Sequence, residues 1–232
     1  MSGGWFITGT DTGVGKTWIA CMLLSALARE GLLAVGMKPE ASGCHATAAG
    51  LRSEDAELLL AASGVSADYA EINPYAFAPP CAPFLAARET GIEIRLEKIL
   101  DHFRHLQQKA SWIVVEGIGG WMVPIGENLT MVDVVRAMQL PVILVIGLRL
   151  GCLNHALLTA SAIRHAGIPL AGWIANQIDS DMTRVDENMI DLEQRMEAPL
   201  LASFPHQSLG DHGILPPVIS IDRLISLARI ID

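Results

Sequence analysis

Residues 5–20 read WFITGTDTGVGKTWIA, and this stretch decides the fold. Residues 5–8 form an apolar run of the length of one buried strand. Residues 16–29 carry the apolar spacing of an amphipathic helix, with Gly31 as its stop. Between them lie three glycines, and the helix opens on the pair Lys16-Thr17, the strand–loop–helix order of a phosphate-binding loop. The strict spacing would put the first glycine at position 10, which is Thr10, so Gly9 to Gly15 spans five intervening residues. The physics survives that change. Gly13 and Gly15 let the backbone amides of the loop, Val14 included, approach phosphate oxygens at a helix N-terminus. Lys16 brings positive charge to the β- and γ-phosphates, and the Thr17 hydroxyl is suited to ligating Mg²⁺. Nucleotide phosphate binding follows.

Outward from this loop, apolar runs alternate with helical patterns. Strands are predicted over 33–38, 112–116, 142–146 and 171–175, and helices over 54–62, 95–109, 153–166, 182–196 and 221–231. Ser53 is a predicted N-cap, and Gly64 a stop. The span 65–91 is the least regular, interrupted by Pro74, Pro79, Pro80 and Pro83. Such alternation predicts an α/β fold: one P-loop NTPase-type domain over 1–232, its largely parallel sheet flanked by helices on both faces.

Composition excludes several function classes. A net charge of −9 argues against a sequence-independent grip on nucleic acid. The densest apolar run, 140–148, is far short of a membrane span, and no basic amphipathic tail for a membrane appears. No signal peptide is visible at MSGGWFITG, and four cysteines without CxxC spacing fit reduced thiols, so a cytoplasmic protein is expected.

In a parallel sheet, chemistry collects where strands end. Lys38 ends a strand in MKPEASG, with Ser42 four residues on; Glu116 ends the run WIVVE before GIGG; Asp55 opens the helix in SEDAELL. A carboxylate at Glu116 is the expected Mg²⁺ partner of Thr17. Taken singly, Lys38 also fits a solvated strand end, and Asp55 a first-turn carboxylate favoured by the helix dipole. His102, His105 and His155 lack metal-site company.

As a set, TGTDTGVGKT, KPEASG, GLRSEDAELL, VEGIGGWMVP, LPVILVIGLRLGCLNHALLT and AGWIAN resemble the dethiobiotin synthetase family in order and spacing. The resemblance implies ATP- and Mg²⁺-dependent closure of a cyclic urea from 7,8-diaminononanoate and CO₂, through a carbamate and a carbamic-phosphoric anhydride. It implies that Lys16 and Lys38 hold the carbamate and the transferring phosphoryl group, with Thr12 and Ser42 orienting the carbamate. Thr17, Asp55 and Glu116 would hold Mg²⁺, Asn176 would meet the adenine edge, and Gly119 would line the diamine pocket. Leu150, Gly151 and Asn154 would reach the diamine's tail carboxylate from the partner subunit of a homodimer. Three features depart from the family pattern: glutamate is common where Gly13 stands, an aliphatic residue where Glu40 stands, and an aromatic residue in the helix after Asn176, where this chain has VDENMIDL. Glu40 either offers the charge displaced from position 13 or, as expected of a charged side chain, faces solvent. The alternative is a ParA/MinD-like ATPase or GTPase switch; Gln177 in ANQID replaces the lysine that the guanine motif needs.

Overall fold

A computed structural model describes residues 3–206 together with Ile225. The six strands of the main sheet are β1 (Gly3–Gly9), β2 (Ala34–Met37), β7 (Trp112–Glu116), β8 (Val142–Leu148), β9 (Leu170–Gln177) and β10 (Leu200–Phe204). They run in the order β10-β9-β8-β1-β7-β2, every pair parallel. Smaller pairings join β3 (Glu40–Ala41) to β6 (Tyr75–Ala76), and β4 (His45–Thr47) to β5 (Gly50–Arg52). The helices are α1 (Lys16–Arg29), α2 (Glu54–Ala62), α3 (Tyr69–Ile72), α4 (Pro83–Thr90), α5 (Leu96–Lys109), α6 (Met131–Met138), α7 (Cys152–His165) and α8 (Val185–Arg195).

Strand alternation sorts the core. In β1, Trp5 and Ile7 pack with α1 and α2 on one face, whereas Phe6 packs with α5 and α6 on the other. Leu144 and Ile146 of β8 continue that second face beneath α7 and α8. Both faces are thus covered, as a parallel sheet requires. The close approach of α2 rests on Gly36, where a Cβ would come 2.8 Å from that of Leu59.

The predicted strands and helices within the described residues are present, with ends shifted by a few residues; the helix predicted over 221–231 lies outside the described residues apart from Ile225. Among the elements that the sequence pattern does not predict, α4, α6 and β10 are the longest. In α4, Pro83 occupies the first turn, where its missing N–H costs nothing, so the proline starts a helix instead of breaking one. In α6, Thr130 and Asp133 form a reciprocal capping box that makes an eight-residue helix worth closing. Edge strand β10 is short and only half-buried, which mutes its apolar signature. Ser53 holds the N-cap position of α2 but makes no side-chain cap; its N–H donates to the Tyr69 hydroxyl at 2.7 Å.

Candidate active site

With all six strands parallel, the loops after β1, β2, β7, β8 and β9 gather at the carboxyl edge of the sheet. The phosphate loop is the tightest of them. Gly15 adopts a left-handed φ of 93° at the N-cap of α1, and a Cβ there would come 2.4 Å from Asn176 Nδ2. Only glycine fits. Asn176 Nδ2 donates to the Val14 carbonyl at 2.9 Å and so ties the end of β9 to the loop. The first amides of α1 have no partner within the helix and remain for an anion. Lys16 is buried, and its Nζ donates to the Asp11 carbonyl at 2.8 Å. Burial first, then the neighbouring Lys38 cation, lower its pKa to about 8.

Beside the loop lies a charge cluster drawn from three distant segments. Lys38, 2% exposed, donates from Nζ to Asp55 Oδ2 and Glu116 Oε1, both at 2.7 Å. The Thr17 hydroxyl lies 2.9 Å from Asp55 Oδ1 and 2.8 Å from Glu116 Oε1; its one proton serves one of them at a time. Backbone bonds fix Lys38: its N–H donates to the Ile72 carbonyl, and its carbonyl accepts from Asn73 Nδ2. Burial opposes the Lys38 charge, but Glu116 and Asp55 outweigh it and raise its pKa. Glu116 is raised as well, chiefly by burial; it has one shared cation beside it and the like-charged Asp55. Lys38, with two carboxylates around it, is the group held charged.

A cavity of about 630 Å³ brings together Thr12, Gly13, Gly15, Lys16, Thr17, Lys38, Ser42, Asp55, Glu116 and Gly119. Asn176 lies instead in a pocket of about 350 Å³ that shares Gly13 and is walled by Trp18, Gln177 and His206. Leu150, Gly151 and Asn154 reach the same sheet edge, at the start of α7, but line neither space; all three are exposed.

Some site residues escaped the sequence reading. Pro80, Cys81, Ala82 and Pro83 wall the larger cavity, out of a stretch whose prolines marked it only as irregular. Arg149 forms an ion pair with Asp11 that links the loop after β8 to the phosphate loop. Glu40 overturns its expectation outright. It is 1% exposed, and neither carboxylate oxygen has a hydrogen-bond partner among the described residues.

A glycine-built loop at a helix N-terminus, with lysine, threonine and strand-end carboxylates around one cavity, defines a P-loop nucleotide-binding protein. Solved structures with this fold include a ParA family ATPase from Chlorobium tepidum (TM-score 0.57, 14% identity, covering 99% of this chain and 93% of that one). Another is the septum site-determining protein MinD from Pyrococcus horikoshii, complexed with Mg-ADP (TM-score 0.56, 16% identity, covering 100% and 96%). At such identity the likeness is one of fold. A family model described as an AAA domain matches residues 4–211. The ATP-dependent dethiobiotin synthetase of Nitrosospira multiformis is 50% identical, over 97% of this chain and 97% of its own length. Those of Xanthomonas euvesicatoria (49%, over 91% and 97%) and Aromatoleum aromaticum (48%, over 89% and 92%) agree. The chain belongs to the ATP-dependent dethiobiotin synthetase family.

Proposed function

We propose that this chain is an ATP-dependent ligase of biotin biosynthesis, closing the ureido ring of dethiobiotin from 7,8-diaminononanoate, CO₂ and ATP. Beyond family membership, one observation carries the reading: Lys38, buried between Asp55 and Glu116, shares a single cavity with Lys16 of the phosphate loop. One amine of the substrate adds to CO₂ and loses a proton, leaving a carbamate. Its oxygen takes the γ-phosphoryl group of ATP, releasing ADP. The second amine then attacks the anhydride carbon, a proton leaves, and phosphate departs as the ring closes. Lys16 and Lys38 supply positive charge where the carbamate and the transferring group accumulate negative charge. Thr12 and Ser42 orient the carbamate, and Gly119 lets backbone line the diamine. One N–H of the Asn176 amide is committed to the Val14 carbonyl, and its oxygen is the acceptor for the adenine amine.

The donor set fits Mg²⁺. Thr17, Asp55 and Glu116 converge as oxygen ligands, and Glu116 Oε2 is buried without a partner among the described residues. When bound, the ion would offset polyphosphate charge and leave Lys38 to the carbamate. The whole chain, 1–232, acts as one catalytic domain in the cytoplasm; none of the described helices is long and apolar enough to cross a membrane. A homodimer is part of the proposal. Leu150, 94% exposed beside Gly151 and Asn154, supports a partner-facing edge that completes the neighbouring diamine site. Sedimentation should give a dimer, and a monomer would remove that part. The activity itself is tested by incubating the protein with diamine, bicarbonate, Mg²⁺ and ATP. Dethiobiotin detected by mass spectrometry supports the reading; ATP hydrolysis without it refutes it.

A further inference from the structure

We propose that Glu40 is a proton-holding acid set against Lys38, and that its ionisation weakens the hold of Lys38 on anionic substrate. The inference rests on the ring-closing reading of the site and concerns how that site responds to pH.

The geometry isolates this carboxyl. Glu40 is 1% exposed, and both oxygens lack a partner among the described residues. Leaving a charged carboxylate in that state is costly, whereas the neutral acid is far cheaper to bury. Lys38, Ala41 and Ser42 line the cavity, whereas Glu40 lies behind its wall, where it can act on the site through its neighbours. Across the short β3–β6 pairing it stands in register with Tyr75, a buried residue whose ring stacks on Phe77 and carries Lys98 Nζ 4.4 Å from its centroid. Asn73, also buried, spends its amide on the carbonyls of Lys38 and Tyr75. Among the described residues, the charge acting on Glu40 is the Lys38 ammonium, which also pairs with Asp55 and Glu116. Burial outweighs that ammonium and pushes the Glu40 carboxyl up to about 8.

Lys38 already neutralises two carboxylates. With Glu40 protonated, the cluster keeps its capacity for an incoming carbamate or phosphoryl group. Once Glu40 ionises, a third negative charge draws on the same ammonium in a poorly screened interior, and anion affinity falls. Glu40 is thus a positioning residue, and its signature is a pH dependence.

The test compares wild type with Glu40→Gln, which fixes the neutral form at nearly the same volume. Initial rates of dethiobiotin formation are measured from pH 6.5 to 9 with ATP, Mg²⁺, bicarbonate and 7,8-diaminononanoate. Lys16 titrates over the same range in both proteins, so the ratio between them is the informative quantity. The wild-type KM for the diamine, divided by that of Glu40→Gln, should rise roughly 5-fold or more across this range, with kcat moving less. Thermal unfolding gives a readout independent of activity. Because the native carboxyl is raised above its ordinary 4.5, its protonated form stabilises the fold at low pH, and that contribution is lost as pH climbs to about 8. Glu40→Gln should therefore melt at least roughly 4 °C above wild type at pH 8.5 and near it at pH 5. A flat KM ratio overturns the proposal even if the melting difference appears, since Glu40 would then titrate without reaching Lys38. Should Glu40→Gln fail to fold, Glu40→Val is measured in the same two ways, with the same outcomes deciding. Wild type that makes no dethiobiotin at any pH would instead remove the ring-closing reading itself.

Discussion

Two turns at the carboxyl edge of the sheet are built alike and do different things. After β1 and again after β8, the chain enters a glycine with left-handed φ, 93° at Gly15 and 95° at Gly151. Each glycine caps a 14-residue helix with no side-chain cap. Around Gly15 the structure closes in: Asn176 fills the space a side chain would need, and Lys16 and Thr17 enter the cavity. Around Gly151 no described residue lies within 4 Å of where a Cβ would stand, and Leu150 stands in the open. The helix N-terminus is common to both. What makes the first a phosphate site is the lysine–threonine pair that follows it and the carboxylates delivered from β7 and α2. The second supplies a surface, tied to the first through Arg149 and Asp11.

The largest expected difference between the two turns is chemical. Lys16→Ala should lower dethiobiotin formation by roughly 10³-fold or more, because a charge-spread phosphoryl transition state loses its nearest cation. Turnover of the purified variant checks it, and near-normal rates would mean that the two turns differ less than their surroundings suggest. Lys38→Gln comes next. It strips a buried ammonium from two carboxylates, which should cost about 3 kcal/mol of stability and far more synthesis than ATP affinity. Calorimetry with ATP and urea unfolding separate these effects, and equal losses of ATP binding and synthesis would assign Lys38 to the nucleotide. Added Mg²⁺ should recover part of the stability, since the carboxylates left behind can bind it.

The same substitution made in both turns sharpens the contrast. Gly15→Ala meets Asn176 at 2.4 Å and should abolish ATP binding, whereas Gly151→Ala meets none of the described residues and carries only backbone strain, about 1–2 kcal/mol. Equal ATP affinity in the two variants would break the comparison. Smallest of all is Arg149→Ala. Its ion pair with Asp11 is part-exposed on both sides, so unfolding should register at most about 1 kcal/mol, and less at high salt.

How much of this was legible beforehand varies with the residue. Lys16 and Thr17 were readable because their roles depend on neighbours in sequence: a strand, glycines and a helix start within twelve residues of Trp5. Glu116 and Lys38 were readable as strand ends and no further, because spacing gives no distance between segments 78 residues apart. Glu40 was misread. A charged residue in a loop of small residues ordinarily faces water, and only the packing of β3 against β6 buries it.

By itself, then, the sequence determined the alternation of strand and helix, the phosphate loop, and the carboxyl edge to which each candidate belongs. These follow from local periodicity and from the parallel sheet that such alternation imposes. Tertiary structure alone decided that Lys38 sits between Asp55 and Glu116, that Asn176 holds the phosphate loop by Val14, and that Glu40 is sealed away without a partner. Each of those depends on distances and desolvation set by segments remote in the chain, which no local pattern encodes.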